Sequence, residues 1–461
     1  MKMSGNDASK LREFSESPAG RLLWRYSLPA VVGMLVMSLY NIIDRIFIGQ
    51  GVGPEAIAGL AITFPVMNLS AALGVLIGAG GSARLSILLG AKNYDDARRT
   101  LCSSLILLMA IVCCYLCCFA IFIDEILIAF GASEVTLPYA REFMLYILPG
   151  MFMTNFAFTF NNFMRASGYP VKAMLTMLIG AGCNLVLAPI FIFYLKLGIK
   201  GAAIATDISM MISAFFVLSH FFSRKSTLHF SGSREMYRLK AKIVLPVLSI
   251  GAAPSVVNAA ACFINVIINK SLYFHGGDMA VAAAGIFTSY TSMMTMVVVG
   301  ICQGMQPIIG YNYGAGRLDR LRRTFWLAVG VSTVIVTTGQ TIGLLFPEYI
   351  GRAFSNDPAL ISETARCLHI SLLAFTVVGF QVVSTTLFQS IGKAKSSIFL
   401  SLTRQVLFLI PLLLVLPPRM GLDGVWIAFP LSDLVATMVT AVMVYYQLAQ
   451  FRKSAVVNAG C

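Results

Sequence analysis

The sequence predicts an all-α polytopic membrane protein, with 12 transmembrane helices in two pseudo-symmetric six-helix bundles. Three observations support this fold class. Of the 461 residues, 58% are hydrophobic and only 12% are charged, a composition that does not suit the surface of a soluble protein. Apolar runs of about 20 residues, the length of a membrane-spanning helix, recur along the chain. The two halves of the sequence also resemble each other.

Twelve apolar runs are each long enough to cross a bilayer as a helix. Breaks rich in Gly, Pro and Asn separate them, as at residues 49–54 and 168–170. The sequence does not have the strand alternation of an outer-membrane barrel. The predicted helices cover residues 24–47, 56–79, 101–123, 139–165, 170–195, 199–222, 243–270, 279–303, 324–346, 364–390, 395–416 and 423–449.

The basic residues predict the orientation of these helices. The net charge is +14, and most of the 34 Lys and Arg residues fall at the termini, in the central stretch 223–242 and in loops on the same side. Arg165, at the predicted end of the fourth helix, belongs to this set. The positive-inside rule then places both termini in the cytoplasm. Topology explains the excess charge, so we predict a multi-pass protein of the bacterial inner membrane with no nucleic acid partner.

An internal duplication relates the two halves of the chain. Residues 90–100 align with residues 314–324, and residues 57–62 align with residues 281–286 in the same register. Six spans per half is an even number, so both halves enter the membrane in the same direction, and transporters of this build hold substrate between the repeats. The predicted domains are an N-terminal bundle at 1–222, a cytoplasmic linker at 223–242 and a C-terminal bundle at 243–461.

Four of the ten cysteines lie close together on the predicted third helix, at Cys113, Cys114, Cys117 and Cys118. Their spacing resembles that of metal ligands, but this run contains no His, Asp or Glu to complete a site. Free cysteine also packs as a small apolar side chain. We therefore predict that these cysteines serve packing and that the protein has no metal site.

Several motifs along the chain are typical of one transporter family. They lie at Leu28-Pro29 and at residues 40–49, 183–192, 201–206 and 300–316. Together they resemble the multidrug and toxic compound extrusion (MATE) family of the MOP-flippase superfamily, and its bacterial Mep-type exporters in particular. The resemblance covers essentially the whole chain. It implies export of lipophilic, often cationic compounds, driven by a proton or sodium gradient.

Few ionisable residues lie inside the predicted spans, where a charge is costly. Asp44 lies about 20 residues into the first helix, and Asn184 and Thr206 lie at a similar depth in the fifth and sixth helices. Such a set would hold a proton through hydrogen bonds or sodium through oxygen ligands, and the resemblance places the family's N-terminal cation site at the matching positions. A proton is favoured because one buried carboxylate suffices for it. The alternative for Asp44 is a polar contact with Asn41.

One position departs from the family pattern. The fifth helix of the family usually reads Asn-x-x-x-Asp-Pro, whereas Asn184 is followed here by Ala188 and Pro189. We hypothesise that Asp207, next to Thr206, partly substitutes for the missing carboxylate. A hydrogen bond between helices, or a place at the membrane surface, explains Asp207 equally well.

A substrate cavity is expected between the two bundles. Met adapts to varied ligand shapes and aromatic rings attract cations, although packing or lipid contact remains the alternative for each single residue. Pro29 weakens the hydrogen-bond ladder of the first helix, so it is the predicted hinge. The predicted cavity residues are Met37, Tyr40, Asn41, Phe158, Tyr290, Met293, Gln306 and Asp433.

Two other functions fit parts of the sequence. A flippase for lipid-linked saccharides belongs to the same superfamily, but such proteins usually have more spans and several Arg in the cavity. An integral-membrane enzyme would need a nucleophile, a base or metal ligands clustered at one depth. The expected partners are small-molecule substrates and membrane lipids, the expected unit is a monomer, and no cofactor is expected besides the coupling ion, H+ or Na+.

Overall fold

The computed structural model describes residues 13–51, 54–134, 136–223, 226, 228–230 and 232–459, and these fold almost entirely into helix. The all-α fold class is thereby confirmed. The helices are α1 (Ala19–Gly51), α2 (Pro54–Gly90), α3 (Tyr94–Ile121), α4 (Ile123–Ala129), α5 (Leu137–Ala166), α6 (Pro170–Pro189), α7 (Gly198–Phe222), α8 (Ala241–Gly314), α9 (Leu318–Leu345), α10 (Pro347–Phe354), α11 (Pro358–Ser371), α12 (Thr376–Ser390), α13 (Ala394–Leu402), α14 (Ile410–Val415), α15 (Pro417–Met420) and α16 (Leu422–Ala459). Two π-helical segments, Ile190–Tyr194 and Thr403–Leu409, continue α6 and α13.

The 74-residue helix α8 folds back on itself. Its residue Gly251 packs against the backbone of Leu76, and its residue Gly314 packs against the backbone of Ile87. Leu76 and Ile87 are about three turns, or about 16 Å, apart on α2, whereas Gly251 and Gly314 would be about 95 Å apart on α8 if that helix were straight. The reversal occurs at Gly277, whose φ of 64° and ψ of −160° suit glycine because it has no Cβ. The two arms of α8 contain the predicted helices 243–270 and 279–303.

The predicted single helix 364–390 is wrong in one respect, because the chain breaks there into α11 and α12 with a bend of 59°. The break is braced by Gln340 of α9. The Gln340 amide Nε2 donates to the Leu373 carbonyl at 3.0 Å, and the Thr376 N–H donates to Gln340 Oε1 at 2.7 Å. A side chain inserted into the hydrogen-bond ladder is a known cause of a sharp bend, and nothing within residues 364–390 signals it.

The other predicted helices agree with the observed ones in order and position, but the predicted helices 56–79, 279–303 and 423–449 end about ten residues before α2, α8 and α16 do. Among the described residues, ten helices are long and apolar enough to cross a membrane, or eleven if α11 and α12 together form one span. That number counts α8 once, although α8 doubles back. The total of twelve spans stays a prediction.

The helix positions repeat along the chain. Helices α3 and α9 begin at Tyr94 and Leu318, α6 and α13 at Pro170 and Ala394, and α7 and α16 at Gly198 and Leu422. The interval within each pair is the same, and it equals the interval from residue 90 to residue 314 at which the sequence motifs align. The short helices α4 and α10, which the apolar pattern does not predict, also begin at this interval.

The stretch between the halves packs against the N-terminal half. Arg98 of α3 donates from Nε to the His229 carbonyl at 3.1 Å. Ser103, also on α3, donates to the carbonyls of Met236 and Arg238, both at 3.3 Å. We call the end of the molecule that carries this stretch and the turns 91–93 and 315–317 the linker end.

The four clustered cysteines of α3 are exposed on the outer face of the helix and are not packed in the interior. This corrects the prediction that they serve internal packing. Cys102, nearer the start of the same helix, is buried instead. Within the described part of the chain, no group of three or more His, Cys, Asp or Glu side chains is arranged to hold a metal ion.

Candidate functional site

Polar side chains from α1, α6 and α7 meet at the part of α1 that is remote from the linker end. Asn184 donates from Nδ2 to Thr206 Oγ1 at 2.9 Å. The Tyr40 hydroxyl lies close to the same Thr206 side chain, and Asp44 is near enough for its charge to act on that hydroxyl. We call Tyr40, Asp44, Asn184 and Thr206 the Asp44 cluster. The structure thus brings Asn184 and Thr206 into contact and links them to Asp44 through Tyr40, which the sequence assigns to the substrate cavity.

The Asp44 cluster offers one ionisable group among neutral oxygens. Asn184 is 1% exposed, and Asp44 is half-buried with Oδ1 enclosed by protein. A carboxylate, a phenol, a hydroxyl and an amide oxygen suit either a proton or a small hard cation. The chemistry of the donor set is therefore consistent with both ions expected from the sequence.

The remaining predicted residues of α1 lie apart from this network. Asn41 is exposed, and its Nδ2 donates to the Met37 carbonyl of its own helix at 2.7 Å. The sequence suggested a contact between Asn41 and Asp44, whereas this bond joins Asn41 to the backbone of its own helix. Pro29 is buried inside α1, which is continuous across it.

Asp207 faces a different helix from its neighbour Thr206. A Cβ atom at Gly150 of α5 would overlap Asp207 Oδ1, so the carboxylate lies directly against the α5 backbone. Asp207 is 8% exposed. Adjacent residues on a helix point about 100° apart, which is why Thr206 reaches α6 while Asp207 reaches α5. The substitution of Asp207 for the carboxylate missing at Ala188 stays a prediction.

A cavity of about 550 Å³ lies between the two halves of the chain. Residues of α1, α2 and α5 line one wall, and residues of α8, α12, α13 and the adjoining π-helical segment line the other. Most of its polar lining is neutral: eight amides at Asn155, Asn162, Asn258, Gln303, Gln306, Gln381, Gln389 and Gln405, with hydroxyls at Thr154, Thr295, Thr385, Thr386 and Ser401. Among the described lining residues, Arg404 is the one charged side chain and Phe158 the one aromatic side chain.

Two of the predicted cavity residues, Phe158 and Gln306, line this cavity. The others lie elsewhere. Tyr290 donates its hydroxyl to the Gly339 carbonyl of α9 at 2.7 Å, and Met293 is 59% exposed. Asp433 of α16 stands behind the wall, where it meets Arg404.

Arg404 and Asp433 form an ion pair at the cavity wall. Arg404 Nε lies 3.2 Å from Asp433 Oδ1, and the two side chains are 28% and 9% exposed. Arg404 is the second residue of the π-helical segment Thr403–Leu409, a type of segment that is frequent at functional sites. The arginine is therefore the member of the pair that reaches the cavity.

Arg165 is a second cation at the interface, and the sequence interpretation missed its position. It is 4% exposed and is not a surface residue of the predicted cytoplasmic side. Its Nη2 donates to Asn161 Oδ1 at 2.8 Å and to Asn162 Oδ1 at 3.2 Å, and its Nη1 donates to Gln303 Oε1. Each of these acceptors is a neutral amide. Gln303 belongs to the C-terminal half, so Arg165 ties the two halves together beneath the cavity.

Glycine contacts close the linker end of the interface between the halves. A Cβ atom at Gly251 would overlap the Leu76 carbonyl oxygen, and one at Gly314 would overlap the Ile87 carbonyl oxygen. Gly80 and Gly90 lie equally close to backbone carbonyls of the opposite half. Backbones of the two halves are thus in direct contact below the cavity, and we call these four positions the glycine seal.

The MatE family model matches the chain in two segments, residues 29–190 and residues 255–415. One segment lies in each half. Together they cover well over half of the 461 residues.

Similar proteins include the multidrug export protein MepA of Staphylococcus haemolyticus, which is 28% identical over 94% of this chain and 94% of its own length. An FAD transporter of Shewanella oneidensis is 27% identical over 91% of this chain and 92% of its own length. Among solved structures, an outward-facing multidrug resistance MATE transporter of the MOP superfamily superposes with a TM-score of 0.90 at 24% identity, covering 98% of this chain and 100% of its own. This structural likeness supports the fold.

Proposed function

Because the chain belongs to the MatE family and is thus a membrane-spanning transporter and not an enzyme, we propose that it exports small organic molecules by alternating access in exchange for a cation. The proposal is carried by one observation. A largely apolar cavity that carries amide and hydroxyl groups lies between two repeated halves that are in backbone contact at the linker end. A substrate held there is released when the halves rock about this interface.

The coupling group in this proposal is Asp44. It stands in the N-terminal half, outside the cavity lining, so an ion and a substrate would occupy separate sites. Changing the charge of Asp44 would change the contact of Tyr40 with Thr206 and the hydrogen bond that Asn184 donates to Thr206, which connect α1, α6 and α7. We favour a proton over sodium because one carboxylate with neutral neighbours is sufficient to hold it.

The coupling ion is tested with purified protein in liposomes, by measuring dye export under an imposed pH gradient and separately under an imposed sodium gradient. We expect the pH gradient to drive transport and Asp44→Asn to reduce it to the level of protein-free liposomes. Asp124→Asn is the matched control, because Asp124 is an exposed carboxylate paired with Arg141 at 2.8 Å. Transport driven by sodium alone, or undiminished transport by the Asp44→Asn variant, would refute this assignment.

The proposed setting is the bacterial inner membrane, with the linker end in the cytoplasm and the protein working as a monomer. The basic side chains of the linker end support this orientation. Reporter domains fused after residue 461 and inserted at residue 357 test it, since the two sites are expected to report opposite compartments.

A further inference from the structure

We infer that the cavity between the halves binds amphipathic organic anions, with Arg404 as the subsite for the acidic group. This inference rests on the proposed export function and names its substrate class. The resemblance implied cationic compounds, so the two expectations are opposed and can be separated by experiment.

The geometry of Arg404 suits an acidic ligand. Its contact with Asp433 uses Nε, which leaves the edge formed by Nη1 and Nη2 for a second acceptor. This edge matches a carboxylate or phosphate in a bidentate manner, whereas a lysine would offer only a point charge. Because Arg404 lines the cavity and Asp433 does not, the guanidinium remains accessible to a ligand while it is held in place from behind.

The charge distribution around the cavity points the same way. Arg404 and Asp433 offset each other, and Arg165 adds a positive charge whose described partners are neutral amides. Asn162 and Gln303, two of these partners, also line the cavity. Asp207 lies on α7 against the α5 backbone and does not line the cavity. The described surroundings of the cavity therefore favour a neutral or negative guest over a positive one.

The rest of the lining suits the body of such a molecule. Amide side chains donate and accept hydrogen bonds, so the cavity can match a flat heterocycle that carries both kinds of group. A lipophilic cation would gain most from carboxylates and aromatic faces, and the described lining offers the ring of Phe158 and no carboxylate. Most of the remaining lining is apolar. The cavity is therefore better matched to an apolar ring system that carries a few hydrogen-bonding groups and an acidic tail.

The test uses three fluorescent probes with the purified full-length protein in detergent. Riboflavin 5′-phosphate and riboflavin share one ring system and differ by the phosphate, whereas ethidium is a cation of similar size. We expect riboflavin 5′-phosphate to bind most tightly. Arg404→Gln should weaken its binding about tenfold, the value of one good charge-assisted contact, and should change riboflavin binding less than twofold.

Arg366→Gln is the matched control, because Arg366 forms a 2.7 Å ion pair with Asp423 away from the cavity. It is expected to leave all three affinities unchanged. Tighter binding of ethidium than of riboflavin 5′-phosphate by the natural protein would overturn the inference, and this comparison requires no variant. An equal affinity of the natural protein and the Arg404→Gln variant for riboflavin 5′-phosphate would also overturn it.

The liposome assay separates this inference from the proposed function. Gradient-driven export of ethidium without any preference for anions contradicts the inference and leaves the exporter in place. Preferential binding of riboflavin 5′-phosphate without transport under either gradient contradicts the exporter and leaves the subsite.

Discussion

The two arginine side chains at the interface between the halves have different roles. Arg404 is held by a carboxylate and remains in contact with the cavity, whereas Arg165 is enclosed and held by amides alone among its described partners. A buried guanidinium with neutral acceptors keeps its charge only if its donors find partners. We therefore regard Arg165 as a structural tie between the halves and Arg404 as a group that meets ligands.

Replacement of Arg165 by Met is expected to destabilise the protein by about 1–2 kcal/mol, because Asn161, Asn162 and Gln303 lose their donor. Arg165→Lys should recover part of this loss. The measurement is the thermal unfolding temperature in detergent. Arg141→Met serves as the control, since exposed ion pairs contribute little. Equal unfolding temperatures for the Arg165→Met and Arg141→Met variants would contradict the structural role.

The sequence predicted part of the site because depth in the membrane can be counted along a helix. The contact between Asn184 and Thr206 follows from their similar depth. The positions of Arg165 and Arg404 could not be predicted in this way. A basic residue near a helix end is assigned to the membrane surface, and its burial depends on the amides that the opposite half places against it.

At the scale of elements, one departure from straight helix is repeated in the two halves and another is not. A π-helical segment continues α6 in the N-terminal half and α13 in the C-terminal half. The break between α11 and α12 lies in the C-terminal half, whereas α5 is continuous at the matching position of the N-terminal half. Leu116 of the N-terminal half is the counterpart of Gln340 in the alignment of the repeats, so the brace of the break is not duplicated. The two halves therefore share their helix order and differ in local geometry.

Replacement of Gln340 by Leu is expected to lower the free energy of unfolding by about 0.5–1.5 kcal/mol, the net contribution of one hydrogen bond. The Leu373 carbonyl and the Thr376 N–H would both lose their partner. The rate of amide hydrogen exchange at residues 372–376 should rise in the Gln340→Leu variant. In the control, Thr338→Val removes a hydroxyl that bonds within α9 and should leave this exchange unchanged. Unaltered exchange after Gln340→Leu would mean that the break is stabilised by other contacts.

The element order was predictable because each span needs a long apolar run, and such runs can be recognised in the sequence without knowledge of tertiary contacts. The broken helix was not predictable, since its brace comes from α9. The reversal of α8 was predictable, because Gly277 lies in the break between the predicted helices 243–270 and 279–303, although the structure has no intervening loop there.

At the scale of the whole molecule, the closure of the linker end rests on the four positions of the glycine seal. Any side chain at Gly251 would meet the Leu76 backbone, which cannot move aside as a flexible side chain would. Substitution there should therefore displace the arrangement of the halves and leave each half folded.

We expect Gly251→Val to favour the conformation that is open at the linker end. Spin labels at residues 92 and 317, in a background without other cysteines, should then show longer distances by double electron–electron resonance. Gly330→Val is the control, because a Cβ atom at Gly330 meets no heavy atom within 4 Å. Unchanged distances in the Gly251→Val variant would show that the seal does not determine closure.

The glycine seal should also limit the leakage of protons across the membrane. Backbones that touch leave no gap for a continuous file of water, and without such a file a proton has no route along the interface. The closed end should therefore block proton leakage across the membrane while substrate leaves from the other side. Protons would then cross only by way of the Asp44 carboxylate of α1. Variants that loosen the seal should dissipate the gradient even in the absence of any substrate.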